Sequence, residues 1–84
     1  MSAELRDEVV AICRAIDAGD VAPRAGAAHI WTLMAEAGYP VETEEFRVIV
    51  GLVSEIQDRP EHAPAYEADI REEASAVLAR YPAI

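Results

Sequence analysis

Glu42-Thr43-Glu44-Glu45-Phe46-Arg47-Val48-Ile49-Val50-Gly51-Leu52-Val53-Ser54-Glu55-Ile56-Gln57-Asp58 is the stretch on which the fold turns. Read as a helix over about 44–58, it begins with Thr43 as N-cap and two glutamates in the first turn, where the helix dipole favours acids. In helical projection Val48, Leu52, Ile56, Ile49, Val53, Phe46 and Val50 cover an arc near ~200°, about twice the usual apolar stripe. A helix apolar over that width packs on two or more neighbours, which places it at the centre of the fold. The rival reading is a short buried strand, since Val48-Ile49-Val50 is β-branched. Gly51 weakens both readings. Length and the acidic start favour the helix.

Turn chemistry at Gly19-Asp20, Gly38-Tyr39-Pro40 and Arg59-Pro60 divides the chain into four such segments. The first, about 3–18, carries Leu5, Val9, Ile12, Cys13 and Ile16 on one stripe, with Glu4, Asp7 and Glu8 early and Gly19 as its C′ residue. The second, about 23–37, has Asp20 as a start signal and Pro23 in its first turn. Its stripe is Ala27, Ile30, Trp31 and Met34, and Gly38 ends it. Pro60 stops the third segment. The fourth, about 64–80, opens at Pro64, runs Tyr66, Ile70, Ala74, Val77, Leu78 and Tyr81 along a narrow stripe, and closes at Pro82. Four helices with short connections predict an all-α, compact four-helix bundle forming a single domain over 1–84. Its core leans on Trp31, Phe46, Met34 and the Ile, Val and Leu set, because the many alanines bury little area each.

The chain has 84 residues, 52% of them hydrophobic and 27% charged. That is too apolar for a disordered chain, and at this size folding buries a little over ~60% of the unfolded surface. The longest uncharged apolar run, Val48 to Val53, is far short of the ~20 residues a membrane span needs. Met1-Ser2-Ala3-Glu4 leads straight into charges, the reading of a chain without a secretory leader. Cys13 is the single cysteine. It has no disulfide partner and no spaced companions for zinc, so a cytoplasmic location is expected.

Sixteen acids stand against seven bases, all arginine, for a net charge of −9. An alanine-rich composition with arginine in place of lysine is what a GC-rich coding genome produces, and points to a bacterial source. So negative a body disfavours direct contact with nucleic acid or anionic membrane, and suits a basic protein partner reached by electrostatic steering. Charge for solubility alone is the plainer explanation.

Few residues suggest chemistry. Asp58 and His62 are spaced i, i+4, which on one helix could ligate a metal or pair acid with base, but Pro60 interrupts the helix between them. His62 then reads as a solvated loop residue, and His29 as a boundary residue of the second stripe. Ser54 lacks the flanking glycines of a nucleophile elbow, and Cys13 reads as a small core residue. Four scattered glycines make no phosphate loop. No enzyme, cofactor or metal is expected.

The acids cluster at Glu42, Glu44 and Glu45, at Glu55, Asp58 and Glu61, and at Glu67, Asp69, Glu72 and Glu73. Solvated helix surface is one reading of them, and a contact patch for a cationic partner the other. Glu55 and Asp58 share a polar face with Ser54 and Arg47. Tyr39, in the Gly38-Tyr39-Pro40 turn, is the aromatic expected to be exposed, and exposed aromatics beside acids are common interface anchors; a tyrosine packed on the end of the bundle is the equal alternative. The expected partner-binding residues are therefore Tyr39, Glu42, Glu44, Glu45, Glu55 and Asp58. If Val48 and Leu52 are left uncovered, they offer instead a homodimer seam.

In size, acidity and helix count the chain resembles the small immunity and inhibitor proteins of bacteria and phages, nuclease-colicin immunity proteins among them. The segment Glu42-Thr43-Glu44-Glu45-Phe46, with the apolar run after it, is similar to the threonine–acid–phenylalanine opening of one helix in that group. It covers barely a fifth of the chain. The group's tyrosine-pair loop is not matched, since only Tyr39-Pro40 is present, so no functional residue is carried over. The resemblance implies four helices and a non-enzymatic protein that covers a basic surface, such as that of a nuclease. An inhibitor, immunity or antitoxin-like protein is the first expectation. A small accessory subunit or homodimer is the second.

Overall fold

The first two helices of the chain end in the same way. In α1 (Ala3–Ala18) the Gly19 N–H bonds to the Ile16 carbonyl at 3.1 Å and the Asp20 N–H to the Ala15 carbonyl at 2.9 Å. In α2 (Pro23–Glu36) the Gly38 N–H bonds to Ala35 at 3.0 Å and the Tyr39 N–H to Met34 at 2.9 Å. Both are Schellman ends, which need a left-handed residue at C′, and Gly19 (φ +82°) and Gly38 (φ +76°) supply it. The chain reverses cleanly at each. This is a computed structural model that describes residues 3–81, without the side chains of Ala3, Val41 and Glu42.

The protein is all-α. After α2 come a 3₁₀ segment (Val41–Phe46), α3 (Arg47–Asp58), a 3₁₀ turn (Pro60–His62) and α4 (Ala63–Arg80), with no strand among the described residues. The stretch Phe46 to Val53 is therefore not a strand. Pro23 and Pro64 both lie in the first turn of their helices, where the missing N–H leaves nothing unpaired. The molecule measures 36 × 28 × 17 Å, and its thin dimension fits two layers of packed helices.

Three expectations are corrected. Thr43 does not cap α3, which begins three residues later than the projected Glu44. Its N–H (2.9 Å) and its hydroxyl (2.6 Å) both donate to the Pro40 carbonyl, and its side chain is buried. That pair of bonds closes a tight turn behind Pro40 and fixes the 3₁₀ segment, which swings Phe46 fully into the core. Nor does Asp20 cap α2; the N-cap is Ala22, which makes no side-chain bond. The central helix is α4, which packs on α1, α2 and α3, whereas α3 packs chiefly on α2 and α4.

The core consists of Val9, Cys13, Ile16, Ala27, Ile30, Met34, Phe46, Ile49, Val53, Ile56, Ala63, Ile70, Ala74 and Val77. The buried face of α3 is narrower than projected: Val50 and Leu52 are partly buried, and Val48 is 53% exposed. Trp31 also differs from expectation. It is only partly buried, because its indole N–H needs a polar partner and finds the Tyr39 hydroxyl at 2.9 Å. The alanines of α2 and α4 keep helix surfaces small, and Gly26 takes this furthest. It is buried, and a Cβ there would stand 2.7 Å from the Ile16 side chain. α1 and α2 meet at that point.

Candidate protein-interaction surface

Tyr39 follows the Schellman glycine and takes up a left-handed backbone itself (φ +51°), a conformation that costs a non-glycine residue roughly 1 kcal/mol. The strain is held by two bonds, the Tyr39 N–H to Met34 and the Trp31 indole to the Tyr39 hydroxyl. The ring is thereby fixed and still 54% exposed. A rigid exposed tyrosine loses little freedom on binding a partner.

The 3₁₀ segment carries Glu44 beside this ring. Tyr39, Glu44 and Arg47 line one cavity of about 300 Å³ with Met34, Pro40 and Thr43. Glu44 is exposed and lies 3.5 Å from the Arg47 guanidinium, a surface pair of small energetic weight. Tyr39 and Glu44, both expected at the interface, are thus neighbours. The expected contact Glu42 has a side chain outside the described residues.

Glu45 faces elsewhere. Its carboxylate accepts the Tyr81 hydroxyl, with both oxygens 2.8 Å away, and it is only partly exposed. Tyr81 is held further by Arg14, which donates to its carbonyl at 3.3 Å, and by Arg6, 5.8 Å from its ring centre. The hydrogen bond to Glu45 is the main reason the phenol holds its proton to higher pH than usual. Glu45 therefore ties the 3₁₀ segment to the end of α4.

Glu55 and Asp58 are exposed on the second half of α3. Glu55 lies eight residues beyond Arg47, about 12 Å along the helix, so these acids stand apart from the Tyr39 turn. His62 is also exposed. Its ring meets Tyr66 edge-on (centroids 6.2 Å apart), and Nε2 lies 4.0 Å from Glu61. Pro60 opens a new 3₁₀ turn between Asp58 and His62, which removes the i, i+4 helical relation. Among the described residues no group of three or more His, Cys, Asp or Glu is placed to hold a metal ion.

Cys13 is fully buried between helices, and burial pushes its thiol pKa up to about 11. The thiolate, the reactive form, is scarce at neutral pH. His29 lies on the exposed side of α2. No helix among the described residues is long and apolar enough to cross a membrane.

One arrangement was not legible in the sequence. Val48 and Leu52 of α3 form a groove of about 260 Å³ with Asp69, Glu72 and Glu73 of α4. In sequence the acids belong to one helix and the apolar pair to another. Only the packing of α3 on α4 sets them side by side. A larger acid-edged depression, about 440 Å³, lies between α1 and α2 at Leu5, Leu33, Glu4, Glu8 and Glu36. The chain matches no family model, no curated protein and no solved structure.

Proposed function

We propose that this is a non-enzymatic protein-interaction module that covers a basic surface of a partner protein, in the manner of an inhibitor, immunity protein or antitoxin. The observation that carries the reading is its surplus of exposed carboxylates. The net charge of −9 leaves nine acids without an arginine to neutralise them. Among the described residues the arginine–carboxylate pairs are Arg24 with Glu67 and Arg47 with Glu44. Such a field attracts cationic partners and repels nucleic acid. A nuclease is the kind of target that fits, because its substrate site is built for phosphates and acids can occupy it. On this reading the protein works in the cytoplasm of a bacterium, with Tyr39, Glu44, Glu55 and Asp58 among its contacts. Glu45 is withdrawn from that set, since its carboxylate is engaged by Tyr81.

The test is capture of partners on the immobilised protein, followed by titration of the captured protein's nuclease activity. Stoichiometric loss of activity is the expected result. A captured partner that is acidic, or whose activity is untouched, contradicts the inhibitor role. A homodimer or accessory subunit is the second reading, favoured by the exposure of Val48. A mass that doubles with concentration would support it.

A further inference from the structure

We infer that the groove between α3 and α4 is the docking site for a basic segment of the partner, one that presents an apolar side chain flanked by arginines or lysines. The inference deepens the interaction reading above and rests on it. Its floor is Val48, 53% exposed, with the partly buried Leu52 beside it. Asp69, Glu72 and Glu73 border the same groove. Glu55 falls one turn beyond Leu52 on the Val48 stripe, so it extends the acidic border along α3. An isolated valine on a surface carries no message, but an apolar floor with a one-sign border selects a ligand of matching pattern.

Charge decides between the occupants. A second copy related by a two-fold axis would bring this border against an identical acidic border, which like-charge repulsion opposes. A basic segment gains at both floor and border. The α1–α2 depression is larger, but its large apolar residues Leu5 and Leu33 are both partly buried, and neither is as open as Val48.

The probe is a synthetic helical peptide of leucine and lysine, one apolar stripe flanked by lysines, with a lysine–serine peptide of equal charge as its comparison. Binding is followed through the backbone amide shifts of isotope-labelled protein. Saturable shifts at Val48, Leu52, Asp69, Glu72 and Glu73 are expected, with the serine peptide weaker by roughly tenfold, a difference of about 1.4 kcal/mol. Asp69→Asn with Glu72→Gln should weaken the leucine peptide by a similar factor at low salt and hardly at all at high salt. Val48→Ser should abolish the preference for leucine. Shifts centred on Leu5 and Leu33, or spread evenly over the acids, overturn the assignment. So does a concentration-dependent dimer that Val48→Ser dissolves, since a second copy would then be the occupant. With a natural partner in hand the two readings separate. A basic partner retained equally by the wild type, Val48→Ser and Glu72→Gln overturns the groove alone, whereas failure of the wild type to capture any partner overturns the interaction reading and the groove with it.

Discussion

The Tyr81 hydroxyl and the Glu45 carboxylate, 36 residues apart in the chain, meet at 2.8 Å and join the end of α4 to the 3₁₀ segment ahead of α3. The bond requires the phenol proton, so the Tyr81 pKa is raised in the folded state above its unfolded value. A raised pKa contributes stability that is complete below the unfolded value, near pH ~10, and is lost as pH climbs through the folded one. Tyr81→Phe should cost about 0.5–1 kcal/mol at neutral pH and flatten the loss of stability above pH ~10. Urea unfolding of both proteins from neutral to alkaline pH checks this. An unchanged alkaline slope would show that the bond is not formed in solution.

Cys13 should be silent toward thiol reagents while the protein is folded. Its side chain is fully buried and its pKa stands at about 11, so both access and thiolate are missing. Labelling at neutral pH should proceed at the rate of unfolding and become immediate in denaturant. Rapid labelling of native protein would show that α1 is not seated as described.

Two glycine substitutions should act in opposite directions. Gly26→Ala puts a methyl group 2.7 Å from Cδ1 and Cγ1 of Ile16, so this fully buried side chain must shift within the core. A loss of about 1–3 kcal/mol is expected despite the better helix former. Gly51 lies on the exposed side of α3 with nothing within 4 Å of the added carbon. There Gly51→Ala should stabilise the protein by about 0.5–1 kcal/mol. Thermal melts of the pair read the sign directly.

Added salt should raise the melting temperature. With a net charge of −9 and few ion pairs among the described residues, screening relieves more repulsion than attraction. A gain of about 1 kcal/mol between low and molar salt corresponds to roughly 4–8 °C for a domain of this size. Melting temperatures in sodium chloride should rise most steeply at the low end. A fall with salt would mean that attractive pairs dominate the surface.

The helices were legible because their signals are local. Gly19 and Gly38 mark Schellman ends, Pro23 and Pro64 open helices, and the apolar period shows the buried sides of α1, α2 and α4. What sequence could not resolve depends on contacts across the fold. Thr43 has the chemistry of an N-cap, but Pro40 lies three residues before it and accepts its hydroxyl instead. Trp31 counts as apolar in a projection, while its N–H turns it toward Tyr39 at the rim of the core. Glu45 is indistinguishable from Glu44 until Tyr81 is brought beside it. The same holds for the interaction surface: Tyr39 was readable as an exposed turn residue, whereas the groove at Val48 exists only because α4 lies alongside α3.

The most direct test of the central claim is salt-graded affinity capture from a lysate of the source cell, with bound proteins identified by mass spectrometry. The charge surplus predicts a basic protein retained at ~0.05 M salt and released toward ~0.5 M, as the screening length shrinks to a few ångströms. Recovery of the protein alone at both salt concentrations, or of a partner that salt does not release, would contradict it.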